Sequence, residues 1–203
     1  MSDLFNTESG ERLQVPDADI HLWRHINFKI DEQRLLQRLI EETPWAEEDI
    51  VFWGKVYKQP RLIAWYGDYS YSYSGSRLQP HPWSETLVII KQAVAAVTGE
   101  TFNSVLINYY RNNRDGMGFH SDDEGELGPQ PVIASLSLGV TRRFVLKHRF
   151  RKDFADVHIP LESGSLLLMK GDTQKNWKHG VPKENKLCGP RINLTFRTIF
   201  PTK

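Results

Sequence analysis

Beyond Gly99 the sequence offers only short, strand-like runs. They fall at about 103–110, 132–138, 143–148, 156–160, 165–169, 176–180 and 190–199, with turn residues between them. Seven such pieces predict a double-sheet jelly roll, the double-stranded β-helix. Two helices precede them. Asp31 can cap one that runs to about Glu42, with Leu35, Leu36, Leu39 and Ile40 in one stripe and Pro44 marking its end. Ser84 can cap a second to about Thr98, with Leu87, Ile90, Val94 and Val97 on its buried face and Gly99 after it. The fold class expected is α+β, mainly β, with the two helices backing one sheet.

At 203 residues the chain has the size of a single domain with a full core. The division expected is an N-terminal arm and helix over 1–50, an aromatic-rich lid over 51–80 and a jelly-roll core over 100–200. Lys and Arg total 26 against 25 Asp and Glu, so any basic surface must be local. The single cysteine, Cys188, excludes an intrachain disulfide and a cysteine-built zinc site. It reads as a thiol without a catalytic role. A lone cysteine fits a reducing, cytoplasmic setting, with a nuclear or nucleoid location left open. No run reaches ~18 consecutive apolar residues, and the first ten lack a basic-then-apolar signal pattern, so no membrane association is expected.

The chemistry gathers around Asn108-Tyr109-Tyr110 and the run His120-Ser121-Asp122-Asp123-Glu124. In an extended segment residues i and i+2 point to the same side, so His120 and Asp122 could grip one metal. His179, far downstream, could supply a third ligand. Two histidines and one carboxylate with open positions form the arrangement of non-haem Fe(II) oxygenases. Alone, His-x-Asp is a weak signal, and Asp122-Asp123-Glu124 fits a solvated acidic turn better. On 190–199, alternation puts Arg191, Asn193, Thr195 and Arg197 on one face and Ile192, Leu194 and Phe196 on the other. Two guanidinium groups do not pack unpaired into an apolar core. Either they hold a dicarboxylate ligand, or this is an exposed edge strand. Between Val51 and Ser76 lie Phe52, Trp53, Tyr57, Trp65, Tyr66, Tyr69, Tyr71 and Tyr73, with Arg61 and Arg77 nearby. They suit either aromatic cross-strand pairs or a stacking platform for nucleobases.

Taken together these motifs resemble the AlkB family of Fe(II)- and 2-oxoglutarate-dependent nucleic-acid demethylases. The resemblance rests on Asn108-Tyr109-Tyr110, on Phe119 to Glu124, and on Ile133-Ala134-Ser135-Leu136-Ser137-Leu138-Gly139. It continues through His179 and Pro190-Arg191-Ile192-Asn193-Leu194-Thr195-Phe196-Arg197, in the family's order. Pro60 to Gly67 and Gln174 to Glu184 look more like the animal homologues that repair alkylated single strands than like the founding bacterial enzyme. The match covers roughly Phe52 to Phe200.

The resemblance implies that His120, Asp122 and His179 are iron ligands and the catalytic centre. It implies that Arg191 and Arg197 hold 2-oxoglutarate, with Asn108, Tyr110 and Asn193 in support. It makes Glu124 the acidic residue at the polar edge of the target base, and leaves Asp123 to brace the loop or pair with Arg61. Trp65, Tyr66, Tyr71 and Tyr73 fall in the substrate-covering region with Arg61. The implied reaction uses Fe(II), O2 and 2-oxoglutarate to demethylate N-alkylated bases such as 1-methyladenine or 3-methylcytosine. It releases formaldehyde, succinate and CO2. The expected partner is alkylated nucleic acid, single-stranded because nothing in 51–77 reads as a long duplex-invading finger. No obligate protein partner is evident and a monomer is expected. The basic runs Arg142-Arg143 and Lys147 to Lys152, with Lys175, Lys178 and Lys183, suit either a phosphate backbone or a solvated hairpin turn. Two other classes stay open: a dioxygenase of proteins or small molecules, and a binding module that has kept only the shape.

Overall fold

The computed structural model describes residues 10–28, 30–52, 55–73 and 76–200. The chain opens with β1 (Glu11–Arg12) and β2 (Asp19–Trp23), then α1 (Glu32–Glu42). The Asp31 carboxylate accepts from the Arg34 N–H at 2.9 Å, the bond expected of an N-cap. Leu35 and Leu39 point from α1 into the core. Next come β3 (Asp49–Phe52), β4 (Lys55–Lys58), β5 (Leu62–Gly67), β6 (Tyr71–Tyr73) and β7 (Ser76–Leu78). In α2 (Glu85–Thr98) the Ser84 hydroxyl caps the start, and Gly99, at φ 73°, takes the left-handed position that ends the helix. The remainder is β8 (Ser104–Tyr110), β9 (Met117–His120), β10 (Ile133–Gly139), β11 (Arg142–His148), β12 (Val157–Leu161), β13 (Leu166–Lys170), a single helical turn α3 (Thr173–Asn176), β14 (Trp177–Val181) and β15 (Arg191–Arg197).

Among the described residues the strands form a major sheet in the order β1-β2-β13-β10-β15-β8-β5 and a minor sheet in the order β12-β11-β14-β9. Their pairings are antiparallel. Two further antiparallel pairs, β3 with β4 and β6 with β7, stand apart. Alternation along each major-sheet strand separates two faces. Ile192, Leu194, Phe196, Val105, Ile107, Ala134, Leu136 and Leu138 face the α1–α2 layer and join Leu35, Leu39, Leu87, Ile90 and Val94 in one apolar cluster. The opposite face looks across to the minor sheet. It is apolar toward Ile20, Leu22, Leu167 and Met169, which cluster with Phe144, Leu146 and Trp177, and polar along β10, β15 and β8. This is the jelly roll expected, with both helices on one sheet.

The seven expected strands appear within one or two residues of their expected limits. β15 lies between β10 and β8, buried along its whole length, so the edge-strand reading of its arginines falls. β9 was not expected. Its sequence Met-Gly-Phe-His is only four residues long, contains a glycine and buries neither apolar side chain fully, and it forms because β14 offers an edge to pair with. The N-terminal arm is sewn to α3 and β14. Trp177 Nε1 donates to Pro16 O at 2.8 Å, Asn176 Nδ2 to Asp17 O at 3.0 Å, and Asp19 N to Thr173 Oγ1 at 2.9 Å.

Candidate metal centre and active site

β9 and β14 pair antiparallel with His120 opposite His179, so both imidazoles project between the sheets. Asp122 follows two residues after His120, just past the end of β9, and is wholly buried. Ligand atoms of the three residues lie within 4.8 Å of one another. His120 Nε2 is 3.9 Å from Asp122 Oδ1 and His179 Nε2 is 3.8 Å from Asp122 Oδ2. His120 Nδ1 lies 2.9 Å from Gly118 O. A carbonyl only accepts, so Nδ1 carries the proton and Nε2 keeps its lone pair for a cation. The His179 ring stacks on Phe144, with centroids 5.2 Å apart.

The charges fit a cation. Burial would raise the Asp122 pKa, but the Arg197 guanidinium and both imidazoles outweigh it and hold the carboxyl at about 2. Burial, then His120, pushes His179 down to about 3, and burial lowers His120 against the pull of Asp122. At neutral pH the site is therefore one carboxylate and two neutral imidazoles, the protonation state that metal binding requires. Asp122 Oδ2 is buried and accepts no hydrogen bond. A buried anionic oxygen left bare beside two imidazole lone pairs fits a divalent ion. The donor set is the two-His-one-carboxylate triad of non-haem Fe(II) sites.

A pocket of about 380 Å³, its open mouth included, joins this triad to the polar face of the major sheet. Tyr110, Ser135, Arg191, Asn193, Thr195 and Arg197 line one wall, and Met117, Phe144, Met169 and Val181 supply the apolar remainder. Arg191 is buried; its Nη2 donates to Ser137 Oγ at 3.0 Å, while Nε and Nη1 find no hydrogen-bond partner. Burial lowers its pKa, Tyr110 opposes that, and the Arg142 charge adds to the lowering. Two stranded guanidinium donors cost about 1–3 kcal/mol each without a partner. They present the fork that matches a carboxylate. Arg197 Nη2 donates to Asp122 Oδ1 at 2.6 Å, tying the second arginine to the metal end of the pocket.

The other polar residues expected at this pocket divide by role. Asn193 also lines the wall, but its amide is spent locally: Nδ2 donates to Ser135 Oγ at 2.8 Å and to Leu136 O at 3.0 Å, and Oδ1 accepts from Thr195. Asn108 Oδ1 accepts from Arg61 Nε at 2.7 Å. The Tyr110 ring has the Arg191 and Arg142 guanidinium groups 5.2 Å and 5.6 Å from its centroid.

The residues expected around a substrate fare unevenly. Trp65 and Tyr66 are 2% and 4% exposed. Trp65 belongs to the core between the sheets and Tyr66 to the core under the helices. Neither presents a ring to a base, because β5 pairs with β8 and is absorbed into the major sheet. Arg61 is buried against Asn108 rather than spread over a surface. Asp123 pairs with Arg149, Nη1 to Oδ2 at 2.7 Å, and not with Arg61. Glu124 is half-buried, two residues past Asp122, where the single 3-10 turn Gly125–Leu127 begins. The backbones of Tyr71 and Tyr73 lie in β6; their side chains, like Trp53, fall outside the described residues.

Of the basic runs, Arg142 is buried and donates from Nη2 to Asp115 O and Pro182 O, both at 2.8 Å. It clasps two loops and is not surface charge. Arg143 pairs with Glu184, Lys147 with Asp156 and Arg151 with Asp153. Lys152, Lys175, Lys178 and Lys183 are exposed or partly so, and Cys188 is a partly exposed free thiol. Gln174, Ser135 and Ser137 stand in stretches that carry the family resemblance, but the sequence assigned them no role at the site. The two serines carried a signal, since in Ile-Ala-Ser-Leu-Ser-Leu-Gly they alternate as Asn193 and Thr195 do, and the two strands pair. Gln174 gave none.

A family model described as 2OG-Fe(II) oxygenase superfamily matches residues 25–197. The human protein named alpha-ketoglutarate-dependent dioxygenase alkB homolog 3 is 44% identical over 175 residues, which cover 82% of this chain and 61% of that protein. The chain thus spans about three fifths of the length of that relative. Human DNA oxidative demethylase ALKBH2 is 39% identical over 228 residues, covering 99% of this chain and 87% of that protein. A solved structure described as that of OsALKBH1 superposes with a TM-score of 0.63 at 20% identity, over 92% of this chain and 99% of its own, and shares the fold. The chain belongs to the 2OG-Fe(II) oxygenase superfamily, among the AlkB homologues.

Proposed function

We propose that this protein removes N-linked alkyl groups from the bases of DNA, with RNA as a second substrate, as a 2-oxoglutarate-dependent dioxygenase. The observation that carries this reading is the pair of stranded Arg191 donors facing the same pocket as the bare Asp122 oxygen. A keto diacid that also contacts the metal satisfies both. The names of the human relatives, a dioxygenase and a DNA oxidative demethylase, supply the substrate class.

In this reading His120, Asp122 and His179 hold ferrous iron. Arg191 takes the distal carboxylate of 2-oxoglutarate, while Tyr110 and the Asn108–Arg61 pair shape that end of the pocket. Arg197 neutralises Asp122 and keeps it ionised at every working pH. Iron and 2-oxoglutarate, when bound, supply the oxidising power that releases the alkyl carbon as formaldehyde with succinate and CO2. Met117, Phe144, Met169 and Val181 exclude water around them. Glu124, close in sequence to the ligands, meets the polar edge of a flipped base and favours lesions with a fixed positive charge. The segments on either side of β5, with Tyr71 and Tyr73, form the lid over the 100–200 core, while β5 itself belongs to the major sheet; one such unit acts as a monomer on single strands. The reading puts the enzyme in the cytoplasm, with a nuclear or nucleoid location left open; no helix among the described residues is long and apolar enough to cross a membrane.

The test is formaldehyde release and restored bases, read by mass spectrometry, on 1-methyladenine and 3-methylcytosine oligonucleotides with Fe(II) and 2-oxoglutarate. The panel pairs single with double strands and DNA with RNA. Succinate formed with every base unchanged would favour a protein or small-molecule substrate. No metal uptake and no turnover would leave a binding module.

A further inference from the structure

Asp122 sits in irregular backbone just past β9, where its N–H has no strand to pair with. A buried N–H without a partner costs about 1–3 kcal/mol. The Gln174 side-chain carbonyl accepts it at 3.0 Å. Gln174 is itself buried, an uncommon place for a side-chain amide. Its Nε2 meets only the Met169 thioether, at 3.5 Å. A Leu or Met would fill the same space without desolvating an amide, so the acceptor is what glutamine adds at this position.

Two further bonds join the same segments. Ser121 Oγ donates to Trp177 O at 3.0 Å. Arg149 Nη1 bridges Asp123 Oδ2 at 2.7 Å and Gln174 O at 3.2 Å. Each of residues 121, 122 and 123 is thus tied to the stretch 174–177, which runs directly into β14 and His179. That stretch is fixed in turn by Thr173, whose hydroxyl donates to Lys170 O at 2.6 Å and accepts from Asp19 N.

We propose that Gln174 is a positioning residue for the metal carboxylate. Through the Asp122 N–H, α3 sets the separation between the His120–Asp122 arm and the His179 arm of the triad. The proposal rests on reading that triad as the metal site. Its test is Gln174→Met in the full chain, with Mn(II) affinity measured by calorimetry and exchange of the Asp122 amide measured in the metal-free protein. The expected result is Mn(II) binding weakened roughly 10–100-fold, the range for residues that orient metal ligands, together with faster exchange at Asp122.

Leu39→Ala, which opens the helix-side core away from the site, is the comparator for general loss of stability. Unchanged Mn(II) affinity with a protected Asp122 amide overturns the proposal. So does an equal loss of affinity in Leu39→Ala. If Gln174→Met fails to fold, Ser121→Ala removes the neighbouring tie; several-fold weaker Mn(II) binding supports the brace, and unchanged binding overturns it. Mn(II) binding that survives His179→Ala would instead remove the metal reading itself, while the amide exchange still reports on the tie.

Discussion

β15 has two faces, built from alternate residues of one strand, and they live under opposite rules. Ile192, Leu194 and Phe196 are buried among the side chains of α1 and α2. Arg191, Asn193, Thr195 and Arg197 are also buried, yet they face a pocket in which Arg191 keeps two donors without a partner. The first face gains stability from every square ångström of apolar surface it buries. The second gives some of it up, since a guanidinium taken out of water and left half-paired weighs against folding. The same backbone thus separates what holds the protein together from what it binds, one residue at a time. That separation is open to experiment from both sides.

The largest effect belongs to the ligands. His179→Ala should abolish turnover and weaken Mn(II) binding by more than the ~100-fold upper range for residues behind the ligands; calorimetry and the formaldehyde assay check it. Arg191→Met comes next and should move the two faces' properties in opposite directions. Loss of two charge-assisted bonds, roughly 3 kcal/mol, raises KM for 2-oxoglutarate about 100-fold. The unliganded protein should melt no lower than its parent, because a buried charge without a full set of partners has gone. A lower Tm with unchanged KM would dissolve the contrast. Leu194→Ala is the mirror experiment: about 2–5 kcal/mol less stability by urea unfolding, with KM for 2-oxoglutarate unchanged while the protein stays folded.

A pH series sharpens the contrast further. In the metal-free chain burial holds His179 at about 3, whereas unfolded imidazoles titrate near 6.5. Between these values the unfolded state binds the extra proton. Stability is therefore full above about pH 6.5 and falls as the pH drops toward 3, by at most about 1.4 kcal/mol per pH unit for one such group. Asp122, held at about 2, adds a loss only as the pH falls below the usual carboxylate range toward that value. Urea midpoints between pH 7 and 4 should decline, and His179→Gln should flatten the decline. The smallest effect is expected at the surface. Reversing Arg151 and Lys152 together should leave Tm unchanged and reduce the salt slope of oligonucleotide binding by about one unit for each phosphate they no longer neutralise. An unchanged slope would leave the basic hairpin as a solvated turn. Arg149 is left out of that pair because it is bonded to Asp123.

What was legible in the sequence follows the same division. Alternation shows which residues share a face, so the split of β15 and the limits of α1, α2 and seven strands could be read directly. The triad could be read only together with the other motifs, because His-x-Asp alone also fits a solvated turn, whereas the distant histidine and the two arginines of β15 in that order resemble one family. Partners across space could not be read. Nothing local says that Trp65 and Tyr66 would be drawn into the core by β8, or that Arg142 would turn inward to clasp backbone carbonyls. Asp123 found Arg149, 26 positions along the chain, and Asp122 found Gln174, 52 positions along. Such pairs are set by which strands become neighbours, and composition does not encode that.

The place of β15 has a consequence for how the protein assembles. It comes after every other described strand in the chain, yet it lies between β10 and β8. A ribosome must deliver the chain through Arg197 before the gap between those two strands can close. Until then the apolar undersides of both lie open, so the nascent chain needs shielding from aggregation until β15 has emerged. Pairing at such long sequence separation makes that closing step slow.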